Sequence, residues 1–331
     1  MDFRNASMNV MATQFQIRQQ AIFDAEYASA TASSDRSGFH AAIRPLHREM
    51  IFRFADRWVP RGARVLDVGC GDGEILRLFG PDRIREGVGI DLSPEAVRRA
   101  GEGRYGLARH LRFEEARFED LGLSAGPFDA ILFLDVFEHF PDADGALERA
   151  RGLLAPGGRL LILTPNVRRL TNRIRRAAAF LRGDPGPLPL IPSHFREYAL
   201  AEIREMLVAR GFDVRSVETG GLFDFKYYPA PLRSSPLAAR LNWEAGRPMR
   251  ELASNLLIVA ERQSTAPRSS GPAAGRSGRR GVLSFSTSRS NAGDMERTSG
   301  LEVSASPFAP SGASGDESKA AVAASDSEVC I

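Results

Sequence analysis

Histidine titrates closest to neutrality of all side chains, and two of the five in this 331-residue chain stand where a proton could be taken from a substrate. His139 follows Glu138 in "DVFEHF", where the neighbouring carboxylate could orient it. His194 lies in "IPSHFREY", just ahead of a helical stretch, on a segment able to fold over a ligand. A base in either place would remove the proton of an incoming hydroxyl, worth roughly 10²–10⁴-fold in rate. The bland alternatives are a histidine packing the sheet edge for His139 and a helix-start hydrogen bond for His194. His40, His47 and His110 have no comparable placement and read as surface or packing residues.

The second constellation is "VLDVGCGDG", Val65 to Gly73, in which an apolar run ends at Asp67 and passes into glycines at 69, 71 and 73 around Cys70. Glycines there allow positive φ and a close approach of backbone to a neighbour. A helix starting near Glu74 would favour a carboxylate or phosphate at its N-terminus. Asp91, followed by Leu92, stands at the end of the next strand, where an acid accepts hydrogen bonds from ribose hydroxyls. Together these residues point to a nucleoside cofactor. The dinucleotide fingerprint needs its third glycine one residue later, where Glu74 stands. Acids at Asp67 and Asp72 would repel a pyrophosphate and suit a cation, so S-adenosylmethionine, with its sulfonium and ammonium, fits better than a nicotinamide dinucleotide.

The elements that must position these residues follow from the apolar periods. Short strand-like runs, "RVLDV", "GVGID", "HLRFEE", "FDAILFL" and "GRLLILT", alternate with helical stretches "EILRLF", "SPEAVRRAGEG" and "DADGALERARGLLA", the last closed by "APGG". Near-continuous apolar strands spaced by helices mean a sheet covered on both faces. The pattern continues with "LAEIREMLVARGF", whose Gly211 suits a helix C′ position, then "DVRSVET" and "SNLLIVAER". The expected fold is α/β, a doubly wound and mostly parallel sheet with late antiparallel pairing. In such sheets ligands bind beyond the carboxyl ends of the strands. Those ends hold Asp67 to Gly73, Asp91, Ala116 to Phe118, Asp135 to His139 and Thr164 to Asn166.

The motifs "VLDVGCGDG", "GVGIDLSPEAV", "FDAILFLDVFEHFPD" and "LLAPGGRLLILTPN", in that order, resemble the class I S-adenosylmethionine-dependent methyltransferases, in the small-molecule branch that includes the ubiquinone-biosynthesis O-methyltransferases. The likeness is close from Arg64 to Asn166 and looser to Glu261. It implies a Rossmann-like seven-stranded sheet with the last strand antiparallel, and the methionine moiety over Asp67, Gly69, Cys70, Gly71 and Gly73. It also implies Asp91 and Leu92 at the ribose, Ala116, Arg117 and Phe118 around the adenine, and Asp135 near the methionine end. Arg117 departs from the pattern, since many relatives carry there an acid for the adenine amino group. The Phe118 ring or backbone N–H groups could replace that contact.

Composition sets the outer limits. The formal charge of +3 is small, the basic residues are nearly all Arg with Lys only at 226 and 319, and no RNA-binding signature stands out, so nucleic acid is not the expected partner. Cys70 and Cys330 offer neither a disulfide framework nor a Cys-type zinc site, and no metal is expected. No stretch has the length and apolarity of a membrane span or signal peptide, which makes a cytoplasmic location the default. Residues 1–60 read as an N-terminal helical segment or lid, in which Ile43, Leu46, Met50, Phe54 and Trp58 share a face. Residues 61–262 read as the cofactor-binding domain and 263–331, rich in Ser, Gly, Ala and Pro, as a disordered tail.

Within the domain, 167–198 is an insertion beside the pocket. Its helix "NVRRLTNRIRRAAAFLRG" places Leu170, Ile174, Ala177, Ala178 and Leu181 on one face with arginines around the rest. Such a helix could attract an acidic substrate, lie on an anionic membrane, or simply cover the site with solvated arginines. Aromatics at 223, 225, 227, 228 and 243 could wall an apolar pocket. The expected activity is methyl transfer to a small-molecule, lipid-like or glycan acceptor, at oxygen, with the oligomeric state left open. The competing expectations are an NAD(P)-dependent oxidoreductase, betrayed by nicotinamide binding, and a non-catalytic adenosyl-ligand scaffold, which would bind cofactor and transfer no methyl.

Overall fold

The computed structural model describes residues 14–25, 38–102, 108–184, 186, 193–223 and 235–264, with side chains from 46 onward in the second of these ranges. The tail expected to be disordered lies outside the described residues after 264, as do most of the Pro-rich bend and the aromatics Phe225, Tyr227 and Tyr228.

Among the described residues seven strands form one sheet: β1 (Ala63–Val68), β2 (Ile84–Asp91), β3 (Leu111–Glu115), β4 (Phe128–Leu134), β5 (Leu154–Pro165), β6 (Phe212–Gly220) and β7 (Asn255–Arg262). Their order is β3-β2-β1-β4-β5-β7-β6. The pairs β1/β2, β1/β4, β2/β3 and β4/β5 are parallel, while β7 runs antiparallel to both β5 and β6. The doubly wound, last-strand-antiparallel expectation is therefore met. Strand order reverses between β1 and β4, and the crevice a ligand needs opens where those two ends diverge.

Eight helices accompany the sheet among the described residues: α1 (14–25), α2 (Gly38–Trp58), α3 (Glu74–Leu78), α4 (Pro94–Glu102), α5 (Ala143–Leu153), α6 (Leu170–Leu181), α7 (Leu200–Ala209) and α8 (Pro236–Gly246). The strand sequences explain why both faces are covered. In "FDAILFL" the period of two sends Ile131 and Phe133 to one face and Ala130 and Leu132 to the other, and all four are fully buried. Ile131 and Phe133 pack with Leu147, Ala150 and Leu153 of α5 and Ile203 and Leu207 of α7. Ala130 and Leu132 pack with Ile51, Phe54 and Ala55 of α2 and Trp243 of α8. Each large side chain so buried contributes on the order of 1.5–3 kcal/mol.

The helix ends follow the local text. Asp142 caps α5 by accepting a 2.8 Å hydrogen bond from Gly145 N–H, and Gly211 ends α7 with φ +72°. Helix α2 differs from its expected stripe: Ile51, Phe54, Ala55 and Val59 point inward, with Met50 and Trp58 at the flanks. Residues four apart advance 400° and drift around the helix, so a stripe built on repeated steps of four leaves the buried face. Residues 46–58 therefore form a packing helix on the sheet, and the covering role falls to α1.

Candidate active site

The glycine loop after β1 is shaped by its own protein. Gly69, Gly71 and Gly73 have φ of +70°, +55° and +74°. A Cβ on Gly73 would lie 2.6 Å from Phe113 Cζ, and one on Gly69 would lie 2.9 Å from Val136 Cγ2, so side chains are excluded by packing as well as by conformation. The loop N–H groups turn back onto β2: Gly69 and Cys70 donate to Ile90 O at 2.8 and 3.0 Å, and Gly71 donates to Asp91 Oδ2 at 2.8 Å. The other Asp91 oxygen accepts from Ser93 N–H at 2.9 Å. Asp91 thus ties the loop to the start of α4 while its remaining lone pairs face a cavity. Burial raises its pKa, and these N–H bonds oppose the shift.

That cavity, about 260 Å³, lies at the carboxyl ends of β1, β2 and β4 and is roofed by α1. Of the expected residues, Gly69, Asp91, Leu92, Ala116, Phe118, Asp135 and His139 line it. Asp67, Cys70, Gly71 and Gly73, on the same strand end and loop as Gly69, are not among its lining residues, and Arg117 lines a neighbouring hollow. Asp67 is 3% exposed, and burial, with Asp91 nearby, pushes its pKa to about 8. The Cys70 thiol is buried and likewise pushed up, first by burial and then by Asp67 and Asp91. Arg117 turns to Gln16 and Asp120, whereas Glu119, two residues on, lines the cavity and accepts a 2.9 Å bond from Gln16 Nε2. Among the described residues no Lys or Arg lines the cavity, and the carboxylates that do are Asp91, Glu119 and Asp135.

Helix α1 supplies the residues that sequence reasoning overlooked. Gln16, Gln19 and Phe23, at i, i+3 and i+7, face the cavity, a stripe readable in "FQIRQQAIF". Gln19 is buried and donates to Ser193 O at 2.7 Å and His139 O at 3.3 Å. Ser93 Oγ donates to Asp24, closing the other end of the helix onto the domain.

The far end of the cavity is a cluster of titratable groups. Asp135 caps β4 with φ +56°, the one non-glycine positive φ among the described residues, and donates its N–H to Leu163 O at 2.9 Å. Burial raises its pKa, opposed by the charges of His47 and His194. Glu138, 1% exposed, accepts from Thr164 Oγ1 at 2.9 Å; burial, then Asp135, pushes its pKa to about 8. His139 Nδ1 lies 2.6 Å from Ser193 O, which assigns the proton to Nδ1 and leaves Nε2 as the basic atom. Burial drives its pKa down to about 4, so it is neutral at physiological pH.

The His194 ring stands edge-on to His139 with centroids 5.1 Å apart. Its Nδ1 is 3.2 Å from Glu197 Oε1 and its Nε2 4.0 Å from Glu138 Oε1. Glu138, His139 and His194 could each bring one atom within 4.8 Å of the others, the spacing of a metal site, but each is engaged by the protein, through Thr164, Ser193 and Glu197. Those partners orient the two imidazoles and the carboxylate, which the fold brings together as groups able to exchange protons. His47, set aside at the level of sequence, belongs at its edge, 5.8 Å from Trp243.

Helix α6 turns its expected apolar stripe outward. Thr171, Asn172 and Ala179 are buried, while Ile174, Phe180 and Leu181 are 53%, 71% and 85% exposed beside Arg173, Arg176 and Arg182. Trp243 is buried against Gly220, where a Cβ would lie 2.4 Å from the indole, and it lines a charged hollow between α2 and α8 rather than the cavity of Asp91 and Asp135.

Residues 39–217 match the family model described as a methyltransferase domain. A ubiquinone biosynthesis O-methyltransferase of Xanthomonas axonopodis pv. citri (strain 306) is 31% identical over 194 residues, covering 55% of this chain and 74% of its own. The enzyme of the same name from Xylella fastidiosa (strain 9a5c) is 33% identical over 169 residues, 48% of this chain and 64% of its own. Among solved structures, the putative methyltransferase complexed with the Haloferax volcanii Trm112 activator aligns with TM-score 0.49 and 21% identity, over 74% of this chain and 97% of that one. Magnesium protoporphyrin IX methyltransferase from Synechocystis PCC 6803 aligns with TM-score 0.45 and 19% identity, over 67% and 86%.

Proposed function

The chain belongs to the methyltransferase-domain family, and from that premise we propose that it transfers the methyl group of S-adenosylmethionine to a hydroxyl oxygen of a small, lipid-like molecule. The observation that carries the choice of donor is the cavity lining: three acids, two glutamines, His139 and otherwise apolar and aromatic side chains, with no Lys or Arg among the described residues. A pyrophosphate would meet only like charge there, whereas a sulfonium and an ammonium meet opposite charge. When bound, the donor supplies a methyl already activated on sulfur.

The chain's own residues then bind, orient and move a proton. Asp91 accepts the ribose hydroxyls with the lone pairs left over from Gly71 and Ser93. Leu92, Ala116 and Phe118 form an apolar slot for the adenine, and Glu119, held by Gln16, takes the place of the acid that Arg117 replaces. Asp135 faces the cationic end. Helix α1 covers the cavity and keeps bulk water from the reacting groups. His139 lines the cavity and His194 stands behind it, edge-on to its ring, each with Nδ1 engaged, and we assign the removal of the hydroxyl proton to this pair. The similarity to ubiquinone biosynthesis O-methyltransferases supports oxygen as the atom methylated. We place the reaction in the cytoplasm, with α6 turning its outward apolar residues and arginines to an anionic membrane that delivers the acceptor; among the described residues no helix is long and apolar enough to cross one.

Tritiated S-adenosylmethionine with the purified protein and a fractionated cell extract tests the proposal. Label should appear in the lipid fraction, and S-adenosylhomocysteine should raise the thermal midpoint. Stabilisation by NAD(H) in place of S-adenosylhomocysteine would overturn it.

A further inference from the structure

Arg169 opens the 167–198 insertion and Glu197 closes it, and the two form a buried ion pair. Their side chains are 6% and 2% exposed. Arg169 Nη1 donates to Glu197 Oε2 at 2.5 Å and to Asn166 O at 3.1 Å, and Nη2 donates to Glu197 Oε1 at 3.1 Å. A 3.1 Å bond from Val167 N–H to Tyr198 O staples the same two ends of the insertion. Taking such a pair out of water costs several kcal/mol per ion, so it is a poor source of stability and its presence calls for another role. The carboxylate has one further partner with chemistry to perform, His194, whose Nδ1 sits 3.2 Å from Oε1.

We infer that Glu197, anchored by Arg169, is a positioning residue that fixes the orientation and tautomer of His194, making its Nε2 the atom that accepts the substrate proton. This rests on the methyl-transfer reading for the identity of the proton donor, though not for the tautomer itself. A carboxylate only accepts hydrogen bonds, so the imidazole must carry its proton on Nδ1 to meet it, and Nε2 is left with a lone pair. Nε2 points toward Glu138, 4.0 Å away, on the side where Asp135 feels the charge of His194. Arg169 keeps the carboxylate ionised: burial alone would raise the Glu197 pKa, but the hydrogen bonds from His194 and Arg169 outweigh it and hold it at about 2. His139 meets a neutral backbone carbonyl instead, and no carboxylate stabilises its protonated form. Of the two histidines, His194 alone has the arrangement that both aims the ring and supports the imidazolium formed on proton transfer.

The decisive variant is Glu197→Gln. Arg169 only donates and its shorter bond is the one from Nη1 to Oε2, so the new carbonyl takes the Oε2 position and the amide N–H₂ takes the Oε1 position, facing His194 Nδ1 as well as Arg169 Nη2. That reverses the tautomer, places the proton on Nε2 and removes the base without removing a side chain.

Nitrogen-15 NMR of the histidine rings in the full-length protein should show His194 protonated on Nδ1 in the wild type and on Nε2 in Glu197→Gln. Turnover should fall about 10²-fold or more, with acceptor KM and S-adenosylhomocysteine affinity within about twofold, and the kcat–pH profile should lose its acidic limb. Glu197→Asp, which retains an acceptor, should keep the wild-type tautomer and recover part of the turnover. An Nε2–H tautomer in the wild type overturns the inference, as does a Glu197→Gln variant with unchanged kcat or with binding and turnover lost together. Absence of methyl transfer in the wild type would defeat the reading of the reaction, while the NMR result would still decide the positioning role.

Discussion

At the ends of β1 and β2 the shape of the cavity is set by backbone: three left-handed glycines, four internal N–H bonds and one carboxylate that ties loop to helix. At the ends of β4 and β5 it is set by side chains, with Asp135, Glu138 and His139 from one segment and His194 and Glu197 from another, wired to one another and to Thr164. The donor end can be preorganised by local conformation because its ligand is the same in every turnover. The acceptor end has to store and move a proton, and that needs titratable groups held out of water at perturbed pKa. The two ends should accordingly fail in different ways when altered.

The sharpest separation comes from the histidines. His194→Ala should lower kcat about 10²–10⁴-fold while calorimetry shows S-adenosylhomocysteine affinity nearly intact; a matching loss of affinity would erase the distinction between the ends. Asp91→Ala should do the reverse. Affinity should fall about 10- to 100-fold, because a hydrogen bond to a charged group contributes about 1.5–3 kcal/mol, with turnover at saturating donor largely kept.

Gly73→Ala probes the backbone-built end through stability rather than binding. Its φ of +74° and the 2.6 Å approach to Phe113 should cost about 1–3 kcal/mol in urea unfolding. An unchanged midpoint would mean the loop yields freely.

The other end is probed by a pH slope. Glu138 has a pKa of about 8 folded against an ordinary 4.5, so the folded state holds the extra proton. Its contribution is complete below about 4.5 and is lost as pH rises through 8. Glu138→Gln should flatten the fall in unfolding midpoint between those limits. His139 acts in the opposite sense: with its pKa lowered from 6.5 to about 4, its contribution is present above 6.5 and lost as pH falls through 4.

Legibility in the sequence divided along the same line. "FDAILFL" coincides with β4 residue for residue, and the strand-end rule located Asp91, Ala116, Phe118, Asp135 and His139 beside one cavity before any coordinates. Gln19 and His47 were missed because their roles depend on partners 120 and 88 positions away along the chain, His139 and Asp135. Helix α6 was legible as amphipathic, yet nothing in its periodicity said that Thr171 and Asn172 would face the protein and Phe180 and Leu181 the outside.

What this chain's sequence determined by itself is therefore what short-range physics dictates: strands from apolar runs, a left-handed turn from alternating glycines, an acid one strand away. Tertiary structure alone decided which nitrogen of each histidine meets a protein acceptor, how deeply Asp67 is buried, and that a glutamate and an arginine at the two ends of an insertion stand behind His194. Tautomers and perturbed pKa values come from burial and long-range hydrogen bonds, which exist only once distant segments have packed.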